Sequence, residues 1–398
     1  MARSGQVKAK RSLLSGDWLY DPKMRGLIFQ VLLLVGVVLL FVEIALNTAA
    51  NLKAQNIATG FGFLGRPAGF DISQTLVPYT SASTYGQVFW VGLTNTLLVA
   101  FIGIVLATIL GFVIGLARLS TNWLVARLAT VYVEIVRNVP LLLQLFAWYF
   151  TLIISLPLPE ADTRAPLGLA VSNRGISLPA PVWEPGLGAV LLALIAGVAG
   201  AVAIGIWAKR KRLATGEHVP AFWYGLAAVV APPLLMFLAL GLPLSFEVPT
   251  LGRYNFEGGI VLLPELLALL LGLTLYTAAF IAEIVRSGIE AVPRGQKEAA
   301  RALGLRSWQV QRLVVIPQAL RVIIPPLTNQ FLNLTKNSSL AVAIGYPDLV
   351  SVFAGTVLNQ TNQAVEVILI TMGVYLAISL LTALVMNWFN ARMALVER

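Results

Sequence analysis

Hydrophobic positions in this chain run in long blocks. Stretches at about 27–46, 91–117, 138–156, 187–207, 221–243, 260–284, 322–344 and 364–388 are apolar and nearly free of charge. Each is near the roughly 20 residues that a helix needs to cross the hydrocarbon of a bilayer. In that medium only helices and closed barrels satisfy their own backbones. The pattern predicts an all-α, polytopic membrane protein with about eight transmembrane helices. No small-residue cleavage site follows the first block, which therefore reads as a span and not as a removed targeting segment. Segments 157–186 and 244–258 are expected to be loops, the former because it is crowded with proline and glycine. Pro140 is expected to begin the third span, and Pro325 and Pro326 to break the start of the seventh.

Composition agrees. The chain is 58% hydrophobic and 12% charged, where soluble domains carry about 25% charge. It has no cysteine, which excludes disulfides, thiolate metal sites and a cysteine nucleophile. The single histidine, His218, cannot build a metal site alone. A net charge of +10 would suggest nucleic acid in a soluble protein. Here the positions of the charges give another cause. With the N-terminus inside, Lys and Arg crowd 1–26, 118–138, 208–220, 286–321 and the tail after 388, while the outer segments hold only Lys53, Arg66, Arg164, Arg174 and Arg253. That is the positive-inside pattern, with both termini cytosolic and no nucleic acid required.

One inner segment carries recognisable chemistry. Residues 294–303 are rich in good helix formers. Gly304 is placed to end that helix in a left-handed cap, and Ser307 to cap a second short helix beginning at Trp308. Ala299 and Ala300 are small enough to let a partner's groove approach, a familiar docking mode for a helix. Glu298, Ala299, Ala300, Gly304 and Pro317 have the spacing of the EAA loop of permease subunits in ATP-binding-cassette (ABC) importers, which this stretch resembles. A second run, Tyr132, Glu134, Arg137, Pro140, Leu141, Leu142 and Gln144, is similar to one in the permeases of polar amino-acid importers, the histidine/glutamine/glutamate group. Segments 275–289, 317–321 and 336–340 resemble that group in the same order.

The resemblance implies a type I importer permease core in two parts, 87–156 and 259–390, with the coupling loop at 287–320. A cytosolic segment 1–26, a first span with a periplasmic loop at 27–86, and a cytosolic tail 391–398 complete the chain. Residues 157–258 add two spans with their loops, a two-helix insertion like that of the enlarged general L-amino-acid or glutamate/glutamine/aspartate/asparagine permeases. The family implies transport and no catalytic residues. ATP and Mg would sit on a separate ATP-binding cassette subunit, in two copies, since no phosphate-binding GxxxxGK[ST] loop is present. A second related permease, a periplasmic solute-binding protein and polar L-amino acids are the other implied partners, in a bacterial inner membrane. No cofactor or metal is expected on the chain itself.

Candidate roles follow. Arg294, Gly295, Gln296, Glu298, Ala299, Ala300, Gly304 and Pro317 would contact the ATPase. Asn329, Asn333, Lys336 and Asn337 recur at helical spacing and share a face. Lys336 lies deep in its span, where a charge is costly and marks a functional site. Asn95, Gln144 and Thr277 are weaker candidates for the same substrate pathway. Glu134 with Arg137, and Glu283 with Arg286, are i,i+3 pairs suited to a gate or to ion pairing. An ion-coupled secondary transporter or channel is the alternative. It would need no EAA loop and would be expected to carry acids deep in its spans, whereas Glu43, Glu265 and Glu366 lie near span ends.

Overall fold

The computed structural model describes residues 22–393, apart from 56, 58, 161–167, 218 and 254. The basic segment before Pro22, Arg164, His218 and the last five residues lie outside the described residues.

The described part begins with α1 (Pro22–Ala54) and continues, after an irregular segment, into α2 (Tyr85–Arg118). The Thr84 N–H donates to Gln87 Oε1 at 3.0 Å and closes the start of α2. Next come α3 (Trp123–Asn138) and α4 (Leu141–Ser155), which meet at 106°. The bend is local chemistry. Val139 precedes Pro140 and is extended (φ −96°, ψ 130°), as a residue before proline prefers. Gln144 Nε2 then donates to the Val136 and Val139 carbonyls, both at 2.9 Å, which satisfies acceptors left over at the end of α3. Gln144→Leu is expected to cost about 1 kcal/mol, the net worth of such bonds at a partly exposed site. The readout is the unfolding midpoint in detergent, and an unchanged midpoint would mean that the bend is held without Gln144.

Residues 170–183 and 244–262 form seven short strands, six of them where loops were expected and the seventh at the start of the expected span 260–284. They are β1 (Ala170–Ser172), β2 (Gly175–Leu178) and β3 (Ala180–Trp183), then β4 (Leu244–Glu247), β5 (Thr250–Leu251), β6 (Phe256–Glu257) and β7 (Ile260–Leu262). The orders are β1-β2-β7, β3-β4 and β5-β6, all antiparallel. In β1 and β2 the buried positions are small, Ala170, Ser172, Gly175 and Ser177, so no alternating hydrophobic signal marks them. Between β3 and β4 stand α5 (Leu187–Thr215) and α6 (Ala221–Ala239). These two pack on each other closely: a Cβ on Gly197 would meet the Ala228 carbonyl oxygen at 2.4 Å.

Strand β7 runs straight into α7 (Pro264–Glu290), the hub of the core. Helices α2, α3 and α4 all pack on it, and so does α10 (Ile316–Asn337). Two short helices, α8 (Arg294–Ala302) and α9 (Ser307–Val310), join α7 to α10, with a wide π turn over Gln311–Val315. Ser307 is the first residue of α9 and not its cap. The helix start is closed instead by Gln309 Oε1, which accepts from the Arg306 N–H at 2.9 Å.

Pro325 and Pro326 fall inside α10 and do not break its start. The span runs from Ser307 to Ile344, and both prolines lie on its exposed side. Pro317, near the first position of α10, is where a proline fits without loss. Beyond Asn337 the chain tightens into a 3₁₀ turn (Ser338–Ile344), reverses at Gly345 (φ +79°) and passes through a second π turn (Val350–Val357). The described part ends in α11 (Leu358–Thr361) and α12 (Ala364–Met393). Among the described residues seven helices are long and apolar enough to cross a membrane, and the bent α3–α4 pair makes an eighth if it is taken as one span. This is an all-α membrane architecture, with a small strand module between α4 and α7.

Candidate functional site

The C-terminal end of α7 carries an ionic cluster. Glu283 accepts from Arg286 at 2.6 Å and from Arg118, the last residue of α2. Arg286 also reaches Glu290 at 2.5 Å. The Glu283–Arg286 pair is the i,i+3 pair seen in the sequence. Arg118 was not legible there, because 165 residues separate it from Glu283. The companion pair does not form: Glu134 is exposed, and Arg137 lies over the Phe280 ring, 5.1 Å from its centroid. A cation over an aromatic face competes well with a solvated carboxylate. Phe280 precedes Glu283 by one turn of α7, so Arg137 still sits beside the cluster. The Tyr132 hydroxyl donates to the Leu275 carbonyl at 2.6 Å and fixes α3 on the same helix.

From this clamped end the chain leads into α8. Arg294, Gly295, Gln296, Glu298 and Ala299 are exposed along it. Ala300 is not: it packs with Val292, Val310 and Val315, so only one of the two alanines faces outward. Gly304 has φ +78°, and the Leu305 N–H donates back to the Ala300 carbonyl at 3.3 Å, the left-handed stop read from the sequence. Just past α8, Leu303 is 82% exposed, and Trp308 and Leu313 stand clear of the core as well. These apolar side chains were not singled out in the sequence. They give the charged helix a hydrophobic border.

A second arrangement lies within the spans. Asn329, Asn333 and Lys336 are exposed along α10 and Asn337 is half-buried, while Ile323, Ile324, Leu327, Leu334 and Thr335 turn inward. The shared polar face is therefore present, and no helix among the described residues covers it. Beside it a cavity of about 480 Å³ opens between α10 and α12, with Lys336, Ser339, Thr371, Tyr375 and Ser379 among its walls. Its floor is fixed by buried polar contacts. The Tyr375 hydroxyl donates to Asp348 Oδ2 at 3.3 Å, and the Ser351 N–H donates to Asp348 Oδ1 at 2.8 Å. Thr96 Oγ1 accepts from the Leu349 N–H at 3.0 Å. Three of the wall hydroxyls are already donating, Ser339 to the Lys336 carbonyl, Thr371 to the Val367 carbonyl and Tyr375 to Asp348, so the Lys336 ammonium is the group there suited to a carboxylate.

The weaker candidates fall elsewhere. Asn95 is buried and donates to the Gln74 and Pro347 carbonyls, both at 2.9 Å, so it holds the turn before Asp348. Gln144 holds the α3–α4 bend. Thr277 is buried in the body of α7. None of the three shares the polar face of α10. Asp348 and Tyr375 were missed, although an acid directly after Pro347 in an apolar segment was a visible signal.

A family model described as "Binding-protein-dependent transport system inner membrane component" matches residues 214–395. The "General L-amino acid transport system permease protein AapQ" of Rhizobium johnstonii is 52% identical over 380 residues, with 96% of this chain and 95% of its own covered. The chain belongs to the amino-acid ABC importer permeases. The permease is also 43% identical to the "Glutamate/glutamine/aspartate/asparagine transport system permease protein BztB" of Rhodobacter capsulatus, with 96% of both chains covered. Coverage that complete runs through the α5–α6 region, so the enlarged form is shared with these relatives. BztC, a second permease protein with the same system name in that organism, is 35% identical over 166 residues, which span 40% of this permease and 36% of BztC.

Proposed function

We propose that this permease is one of two membrane-spanning subunits in an ATP-driven importer of polar L-amino acids, working by alternating access in a bacterial inner membrane. The observation that carries the reading is the continuous path from β7 through α7 to α8. The helix that receives most of the core's packing ends in the Arg118–Glu283–Arg286 cluster and turns at once into an exposed docking helix. A push on α8 is thereby delivered to α7 and not dissipated in a loop. The partner on α8 is an ATP-binding cassette subunit, present in two copies and carrying ATP and Mg. Two such subunits need two docking helices, and the existence of BztB and BztC under one system name supports a second, related permease. The open polar face of α10 suits that pairing, since two such faces together would line a wet path. The core parts 87–156 and 259–390 carry transport, a solute-binding protein docks outside, and both termini are cytosolic.

The test is uptake by the permease co-reconstituted with its ATPase, paired permease and binding protein. Labelled glutamate, glutamine, aspartate and a neutral amino acid are the substrates. Uptake that requires ATP is expected. Uptake driven by an ion gradient and indifferent to ATP would overturn the reading in favour of a secondary transporter.

The same assay checks Lys336. Lys336→Met is expected to lower uptake of the acidic substrates about tenfold, the worth of one charge-assisted hydrogen bond. Equal uptake by parent and variant would remove Lys336 from the pathway.

A further inference from the structure

The α5–α6 hairpin has no part in the coupling path, and its chemistry is of another kind. Few of its residues are buried: Gly197 and Ala208 in α5, none in α6. Among the described residues its helices are covered chiefly by each other, and their outward faces are apolar. Helix α5 has 29 residues, roughly 43 Å at 1.5 Å per residue. The hydrocarbon is about 30 Å thick, so the ends of α5 reach the headgroups. Helices α5 and α7 both start from the strand module, and their C-terminal ends therefore face the same side of the membrane, that of α8. Lys209, Arg210, Lys211 and Arg212 occupy the last turns of α5, and Phe222, Trp223 and Tyr224 the first turn of α6. Aromatic residues of this kind mark the membrane interface.

The four cations are not equivalent. Lys211 is engaged by Glu217 at 2.8 Å and lies 5.5 Å from the Trp207 ring centroid. Lys209 and Arg212 stand one turn apart on one face of α5, and neither has an ion-pair partner among the described residues. Together they flank a groove of about 410 Å³ whose remaining walls include Gly205, Ala208, Pro220 and Phe222. Two cations over an apolar floor, at headgroup depth, complement a phosphodiester with its glycerol and upper acyl chain.

We propose that the groove between Lys209 and Arg212 binds the headgroup of an anionic phospholipid in the leaflet on the α8 side. The hairpin would thereby be anchored at its inner end by lipid and not by another helix. The test is native mass spectrometry of the full-length permease from membranes holding equal phosphatidylglycerol and phosphatidylcholine. The parent is expected to retain phosphatidylglycerol selectively. Lys209→Ser and Arg212→Ser should each weaken that retention about fivefold, while Arg210→Ser, which removes the same charge outside the groove, should leave it within about twofold. The permease has no cysteine. A single Ala214→Cys, labelled from one side at a time, therefore reports whether every variant keeps its orientation. Equal retention of the two lipids by the parent overturns the site without recourse to any variant. Equal losses for Arg210→Ser and Arg212→Ser reduce it to diffuse attraction and overturn it as well.

Discussion

Glu298→Lys combined with Gly304→Asp is expected to lower ATP-driven uptake about a hundredfold, because a charge reversal in a docked surface costs several kcal/mol of complementarity. Neither change threatens the fold. Glu298 is exposed, and it makes no ion pair among the described residues. A Cβ on Gly304 would meet nothing within 4 Å. Its positive φ imposes a strain of about 1 kcal/mol on an L-residue, and aspartate tolerates that region better than most. The double variant should therefore insert and melt like the parent, yet fail to hold or to follow its ATPase. The two readouts are co-purification of the ATPase and uptake per inserted permease. Full uptake with normal insertion would separate α8 from coupling altogether.

Gly111→Leu is expected to act in the opposite way, through the fold first. Helices α2 and α7 approach so closely at this point that a Cβ on Gly111 would lie 2.6 Å from Ile281 Cβ and Cγ2. One turn further along, a Cβ on Gly115 would lie 2.8 Å from Val285 Cβ and 2.9 Å from the Ala282 carbonyl oxygen. Small residues four apart are how membrane helices bring their backbones together. The branched Cβ of Ile281 cannot move aside as a flexible side-chain tip could. Overpacking of this kind costs about 3 kcal/mol or somewhat more. A markedly lower unfolding midpoint in detergent is the expected result, with lost uptake as its consequence, since Arg118 at the end of α2 would be carried away from Glu283. Gly36→Leu in α1, where a Cβ meets nothing within 4 Å, is the control that should change neither. A midpoint equal to the parent's for Gly111→Leu would mean that the close approach of α2 and α7 is not maintained in the membrane.

Much of this permease was legible because its solvent imposes a simple grammar. Most spans show as long apolar blocks, and α8 shows as a helix because Gly304 ends it. The Glu283–Arg286 pair shows because three residues of helix bring its members together. The misreadings have equally specific causes. Pro325 and Pro326 look like a helix start, but the helix had already begun at Ser307, before the hydrophobic signal rises. Strands β1 and β2 escaped notice because their buried faces carry Ala, Ser and Gly. Gln144 and Asn95 are polar and sit in spans, which suggests a pathway. Both are spent on backbone carbonyls, at a bend and a turn that no periodicity announces.

The amino-acid sequence by itself determined the membrane class, the order of the spans, the crowding of Lys and Arg into alternate connecting segments and the helix α8 with its glycine stop, because each depends on neighbours within one or two turns. Only the tertiary structure decided that Arg118 completes the Glu283 cluster, that Ala300 faces inward, that Arg137 prefers Phe280 to Glu134, and that Asp348 and Tyr375 underlie the cavity beside Lys336. Those contacts join residues far apart in the chain, and it is the packing of α2, α10 and α12 around their shared core that brings them within reach.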